Sequence, residues 1–255
     1  MIVADLHVHS HHSEDSLLDP RVAIKVAVAR GINCLAITDH NTVRGGLELV
    51  EEAKGLRDFI AIPGVEVQTD VGDLLLLFVS EEVEVRKFDE LLDYAKSVDA
   101  VTVLAHPYRK HVMVEELARE VRAVEVLNAR SSRSANSKAK ELASRLGKAT
   151  CAGSDAHAAF EVGRAVTIMN GSSEEDVREA LTKGGARVFG SESSPLVHLL
   201  SFACKVIKRV AGRRSRAQSS ISSPGLRTST LTSGARDLTA STKPSAVLTS
   251  TGSVA

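Results

Sequence analysis

The chain has 255 residues, 43% of them apolar and 3% aromatic, which is enough to bury one domain of barrel size or a domain plus a tail. Lys+Arg and Asp+Glu are equal at 32 each, so overall charge selects no partner. The distribution is uneven: residues from Ala211 to the end carry +5, and the rest carries −5. An acidic body suits a chain that spends carboxylates on metal, although solvated helix faces give the same sum. Cys34, Cys151 and Cys204 are isolated, which excludes a disulfide framework. The start has no basic region followed by an apolar run, and stretches such as Leu74–Val79 are too short to span a bilayer. A cytoplasmic protein with no transmembrane segment is expected.

Ile2, Val3, Leu6 and Val8 mark a first strand that carries His7 and His9. Alternation with period 2 turns both imidazoles to one face, forming half of a metal site. Taken alone, the run His7 to His12 also reads as a histidine-rich surface start. Asp19-Pro20 then caps a helix through Val22–Arg30 that stops at Gly31. Cys34–Thr38 is a buried strand ending in Asp39-His40-Asn41, and a helix over Val43–Lys54 follows. Phe59–Ile62 leads through Pro63-Gly64 to Val65-Glu66-Val67, and Leu74–Val79 is the next strand.

Val85–Ser97 has helical spacing, and Val101–Ala105 is a strand ending in His106-Pro107. A short helix over Val114–Arg119 precedes the strand Ala123–Leu127, and Asn136–Leu146 is a helix closed by Gly147. Ala149–Ala152 runs into Gly153-Ser154-Asp155-Ala156-His157. A strand over Arg164–Met169, a capped helix from Ser172 to Thr182 and a last strand over Ala186–Phe189 complete the body. The apolar residues Leu196, Leu199, Leu200, Ala203, Val206, Ile207 and Val210 mark an amphipathic helix over Pro195–Val210. It reads first as a closing helix packed on the body, and alternatively as a basic helix that touches a membrane surface or an acidic partner. The expected division is a body over 1–194, this helix over 195–211 and a disordered Ser/Thr-rich basic tail over 212–255.

The repeating β-then-α order with short apolar strands predicts an α/β fold: a parallel sheet closed into a barrel, its chemistry at the strand ends. An open doubly wound sheet is the alternative, but it gathers functional groups at one switch point. Here His7/His9, Asp39/His40, Glu66, His106 and Asp155/His157 each follow a different strand. Buried carboxylates need a positive partner, and few Lys or Arg stand beside these motifs. Divalent metal fits, and mixed imidazole and carboxylate donors suit Zn²⁺, Mn²⁺ or Fe²⁺. The number of donors suits two or three ions.

The motifs Asp5-Leu6-His7-Val8-His9-Ser10, Thr38-Asp39-His40-Asn41, Gly64-Val65-Glu66, Ala105-His106-Pro107 and Gly153-Ser154-Asp155-Ala156-His157 together resemble the polymerase and histidinol phosphatase (PHP) superfamily of metal-dependent phosphoesterases. The resemblance runs from Asp5 to about Gly190. It implies a distorted seven-stranded (β/α)7 TIM-like barrel with a trinuclear site. By position, His7, His9, Glu66 and Asp155 hold one metal, and Glu66 bridges to a second bound by His106. The third is held by His40, His157 and either Glu14 or Asp15, with spacing favouring Asp15. Many relatives carry a Gly-His-Leu run after the bridging glutamate; here it is Gly72-Asp73-Leu74, which puts Asp73 in the ligand position.

Asp39, Glu125 and Asn128 are expected to support the ligands from behind. Arg109 and Arg130 are the best-placed clamps for a phosphate, with solvated loop arginines as the plain alternative. Asp155 or His157 protonates the leaving group in this reading. His11, His12, His111 and His198 are left as surface residues. The resemblance implies hydrolysis of phosphate monoesters or diesters, with a nucleotide or a nucleic-acid end as partner. A histidinol-phosphate phosphatase and a non-catalytic PHP binding module are the competing functions.

Overall fold

The computed structural model describes residues 1–221. Met1–Ser215 forms one compact unit, and the last helix enters a second unit that starts at Arg216. Of the disordered tail expected over 212–255, residues 212–221 continue the last helix and 222–255 lie outside the described residues.

Nine strands form one sheet: β1 (Ile2–Asp5), β2 (Cys34–His40), β3 (Ile60–Gln68), β4 (Asp73–Leu77), β5 (Val101–Leu104), β6 (Ala123–Asn128), β7 (Ala149–Gly153), β8 (Ala165–Met169) and β9 (Arg187–Gly190). Their order is β7-β6-β5-β4-β3-β2-β1-β8-β9. The sheet curls until β7 returns to β1. There Val8 bridges Ala156, His9 N donates to Ala156 O at 2.8 Å, and Asp155 N donates to His7 O at 2.7 Å. A distorted barrel of seven strands results, with β8 and β9 appended antiparallel beyond β1.

The sheet is mixed, where a parallel one was expected. Within β1–β7 the single reversed strand is β4, antiparallel to both β3 and β5. The reason is the link between β3 and β4, a tight turn in which Thr69 N donates to Gly72 O at 3.0 Å. A connection that short returns the chain antiparallel. The consequence is functional: the first residue of β4, Asp73, lands on the rim where its neighbours end.

Inside the ring, Ile2, Ala4, Cys34, Ala36, Leu75, Leu77, Val103 and Cys151 share one apolar cluster. Val177, Ala180 and Leu181 of α6 (Glu174–Lys183) join it. Outside, α1 (Pro20–Ala29) and α2 (Arg44–Glu52) cover β1 and β2. Helices α3 (Phe88–Ser97), α4 (Val114–Glu120) and α5 (Arg133–Leu146) cover β3 to β6. Helix ends follow local chemistry. Asp19 accepts from Arg21 N with Pro20 in the first turn, and Gly147 adopts φ 63° to end α5. At α6 the cap is Ser173, reciprocated by Asp176, one residue later than the sequence pattern placed it.

The last helix, α7 (Leu196–Ile221), runs past the expected boundary at 211. It lies on the body, but through the opposite face from the one its apolar spacing implied. Val197 and Ser201 are buried, while Leu196, Leu199 and Phe202 are each more than 60% exposed.

Gly153 closes β7 against β1, and a Cβ there would overlap His7 Cβ and sit 2.9 Å from Glu125 Oε1. Gly153→Ala should therefore lower stability by about 1–3 kcal/mol. A urea melt of metal-free protein would register this as a lower midpoint with unchanged slope.

Candidate metal centre

Every strand of the ring except β6 delivers a donor to one rim, and β6 supplies support. His7 and His9 follow β1, both fully buried, with Nε2 atoms 3.1 Å apart. Each has its other nitrogen occupied: His7 Nδ1 lies 3.0 Å from Glu125 Oε1, and His9 Nδ1 lies 3.1 Å from Ser13 Oγ. Those contacts leave both Nε2 atoms aimed inward. His40 ends β2, Glu66 lies on β3, Asp73 opens β4, His106 follows β5, and Asp155 and His157 follow β7. The turns past β5 and β7 hold His106 at φ 29° and Asp155 at φ 53°. Side chains other than glycine rarely accept that region, at a cost of about 1–3 kcal/mol each.

Glu66 is the hub. Its Oε2 lies 3.0 Å from His40 Nδ1, 3.3 Å from His9 Nε2 and 3.5 Å from His7 Nε2, and its Oε1 lies 2.8 Å from His106 Nε2. Asp155 Oδ1 lies 3.3 Å from His9 Nε2 and 3.8 Å from His7 Nε2. Asp15 reaches the far side of the rim, 3.3 Å from His157 Nε2 and 3.6 Å from His40 Nε2. Glu14, the alternative ligand, points away and pairs with Lys205 at 3.0 Å.

The supports are hydrogen-bonded on several sides. Glu125 Oε2 accepts from His106 N at 2.8 Å and from Asn128 Nδ2 at 3.1 Å, and Asn128 Nδ2 also reaches Asp155 at 3.3 Å. Asp39 accepts from Ser10 N and Ser10 Oγ at 2.6 Å each and from Ser13 Oγ at 2.8 Å, so it holds the loop rather than a ligand ring. Two further supports went unassigned in the sequence reading. Asp5 accepts from Ser154 N and Gly163 N, at 2.8 and 2.7 Å, and so ties β1 to the loop after β7. Burial pushes its pKa up to about 6 against those donors. Ser13 links His9, Asp39 and the His40 amide at 3.0 Å. Asp5 had a visible signal, since it stands in the same motif as His7; Ser13 had none.

Electrostatics favour a cation here. Burial resists charge on Glu66, but His40 and His7 outweigh it and hold its pKa well below the usual carboxylate range. Burial likewise opposes ionisation of Asp155, and Arg109 and His7 override it. On His7 the order is the same: burial disfavours the charge, yet Glu125, Asp155 and Glu66 raise its pKa well above an ordinary imidazole. His157 moves the other way, to about 4, through burial and the neighbouring His9. Several buried atoms still lack a hydrogen-bond partner among the described residues: Glu66 Oε2, Asp15 Oδ1 and His106 Nδ1. Such orphans are costly in a dry site unless an ion meets them. Donor atoms converge within 4.8 Å in four overlapping sets: His7/His9/Glu66, His7/His106/Asp155, Glu66/Asp73/His106 and His9/His40/His157. The residues present fit divalent metal.

Arg109 stands at the rim, with Nη1 2.6 Å from Asp155 Oδ2. Arg130 does not offer the free clamp expected of it. Its guanidinium is buried and bidentate on Glu161 at 2.7 and 2.8 Å, and Nη1 donates to Ser201 Oγ at 2.9 Å. Glu161 also accepts from His157 N at 3.2 Å, so Arg130 acts as a strut behind that candidate ligand. His111 is half-buried rather than on the surface. Gly72 lacks a side chain and the His111 ring occupies that space, with Nε2 2.9 Å from the Asp73 amide. His11 and His12 both turn toward Glu48, at 3.4 and 2.7 Å, away from the rim. His198 is exposed on α7. A cavity of about 400 Å³ opens above the rim, walled by Asp15, His40, Asp73, Arg109, Asp155 and His157, and on the α7 side by His198, Ser201, Phe202 and Lys205.

Because carboxylates raise the pKa of His7 and His40, a cation must displace protons to bind. Affinity for Mn²⁺ or Zn²⁺ should fall as pH drops, by about tenfold per pH unit for each proton displaced. Calorimetry in buffers of different ionisation enthalpy should find net proton release; proton-neutral binding would contradict the arrangement.

Comparison with known proteins agrees with this geometry. The model of the PHP domain matches residues 5–157, and that of the PHP-associated C-terminal region matches 133–185. The uncharacterized protein MJ0417 of Methanocaldococcus jannaschii is 35% identical over 173 residues, covering 63% of this chain and 68% of its own. Its compatriot MJ1587 is 34% identical over 116 residues, covering 41% and 67%. Among solved structures, a two-domain protein of Bacteroides vulgatus containing a predicted PHP-like metal-dependent phosphoesterase superposes with TM-score 0.66 at 19% identity, over 74% of this chain and 65% of that one. A ring of strands with its histidines and carboxylates on one rim, matched over more than half the sequence, places this chain in the PHP domain family.

Proposed function

We propose that this protein hydrolyses phosphate esters, with a nucleotide or the end of a nucleic acid as substrate, using two or three divalent ions drawn from Mn²⁺, Zn²⁺ and Fe²⁺. The observation that carries the reading is the convergence of His7, His9, His40, His106 and His157 with Glu66, Asp15, Asp73 and Asp155 below one cavity. Ions held by these residues would supply water of lowered pKa and positive charge opposite phosphoryl oxygens.

The chain's own groups do the rest. Arg109 spends one donor on Asp155; its other N–H groups have no protein acceptor among the described residues and are open to a phosphate. Lys110 shares the same wall. Asp155 is held ionised by Arg109, while His157 donates its Nδ1–H to the Asp155 carbonyl, 2.8 Å away, which leaves Nε2 as the free lone pair of the neutral ring. Its Nε2 faces Asp15, so His157 is suited to ligation in the neutral form, and Asp155, ionised beside Arg109, to ligation and to holding that guanidinium at the rim. A second cleft of about 590 Å³ adjoins the first, sharing Arg109, Arg130 and His198 and adding Tyr108, Ser131 and Ser132. A leaving group larger than a simple alcohol has room there, and the exposed Tyr108 offers a flat face to a base. This favours a nucleotide over a small phosphate ester.

Chelated protein reloaded with Mn²⁺ should release phosphate from p-nitrophenyl phosphate, and more efficiently from a nucleotide. His7→Ala and Asp155→Ala should reduce kcat/KM by at least about 100-fold, and Glu125→Gln by about 10–100-fold, since it orients His7 and His106 without contacting substrate. A substrate panel that includes histidinol phosphate and a dinucleotide separates monoester from diester chemistry. Full activity in His7→Ala would remove the assignment.

A further inference from the structure

We propose that α7 is an interfacial helix that seats the Met1–Ser215 unit on an anionic lipid bilayer. The proposal does not rest on the reaction assigned to the metal centre. Its basis is an inverted helix. Toward the body α7 presents Val197, Ser201, Cys204, Lys205 and Lys208, a stripe with only one large apolar side chain. This face is fixed by specific bonds: Lys208 Nζ donates to the carbonyls of His11 and Ser13 at 2.5 Å each, Lys205 pairs with Glu14, and Ser201 holds Arg130. The helix cannot roll its apolar side inward without breaking all of them.

The outward face is the apolar one. Leu196 is 67% exposed, Leu199 64%, Leu200 48%, Val206 44%, Ile207 56% and Val210 48%, at helical spacing along one side. Isolated exposed leucines need no explanation; a continuous stripe signals a partner. It is about 21 Å long at the usual rise per residue. No helix among the described residues is long and apolar enough to cross a membrane, so the stripe would lie in the interface rather than span it.

Charge chooses the occupant. Apart from Lys205 and Lys208, which are held on the inner face, the sequence from Leu196 to Ile221 has four cations, Arg209, Arg213, Arg214 and Arg216, and no acid; the next acid after Glu192 is Asp237. Two such helices brought together in a dimer would repel, with no carboxylate in either to compensate. An anionic bilayer surface offers apolar depth and negative charge at once. The wall of the catalytic cavity is the inner side of the same helix, so a bilayer would lie about one helix diameter, 10–12 Å, from the cavity.

The test uses the full chain and sedimentation with phosphatidylcholine vesicles, with and without about one third phosphatidylglycerol. Binding is expected only with the anionic lipid, and should weaken between about 0.1 and 1 M salt as screening shortens. Leu199→Glu combined with Val206→Glu should lower binding at least tenfold, with unchanged melting temperature and unchanged hydrolysis of a soluble ester, because neither side chain lines the cavity. The chain has no tryptophan, so Leu200→Trp in the otherwise unaltered protein should shift its emission to the blue on anionic vesicles. Failure to bind anionic vesicles, equal binding to neutral ones, or an unshifted Leu200→Trp spectrum overturns the proposal. So does a dimer in light scattering that the double substitution converts to monomer, since a second copy would then cover the face.

Discussion

A carboxylate with no solvent access and four imidazoles around it sets the terms for the whole molecule. Glu66 is fully buried on β3, and nitrogen atoms of His7, His9, His40 and His106 lie within 3.5 Å of its oxygens. Removing a carboxylate from water costs several kcal/mol even after relaxation. Charge on His7 and His40 offsets that cost, at the expense of crowding two imidazolium rings into the same small space. A cluster of this composition is one that a divalent ion could complete. The barrel is the scaffold that makes such crowding tolerable, because each donor is anchored on a different strand and none can retreat alone.

Behind the donors lies a layer that fixes them. Glu125 orients His7 through its ring nitrogen and His106 through its backbone amide, and Asn128 connects Glu125 to Asp155. Asp5 and Asp39 serve the loops: one ties the first strand to the β7 loop, the other folds the Ser10–Ser13 turn. Arg130 and Glu161 extend the same logic to α7. The ring closes at the same place that the chemistry is assembled, because the Val8–Ala156 bridge lies between the His7/His9 pair and the Asp155/His157 pair. Fold closure and ligand convergence are one event.

Some of this was legible from the residues. The strand–helix order was readable because parallel, doubly covered strands are uniformly apolar and their helices end in glycine or capped turns. The rim was readable because strand ends face one side of a barrel, so His40, His106 and Asp155 announce themselves by following apolar runs. The reversed β4 was not readable, since Leu74–Leu77 is apolar in either direction; only the tight turn at Gly72 decided it. Arg130 sits two residues past a strand end, where a phosphate clamp belongs, yet its partner Glu161 is thirty-one positions away and has no pattern that marks it. His111 looked exposed because its burial depends on the absent side chain of Gly72.

Sequence alone picked out the candidate donors and the elements that carry them, because ligand chemistry and strand periodicity are local properties. Tertiary structure decided which donors share an atom's neighbourhood, which of Glu14 and Asp15 reaches the rim, and that Arg109 stands at the rim while Arg130 is buried on Glu161. It also decided that α7 turns its polar side to the body. A helical wheel records only that two faces differ; which one is buried depends on what waits beneath it. Here that is a polar cavity mouth and the bare carbonyls of a turn, which satisfy lysine and serine better than leucine.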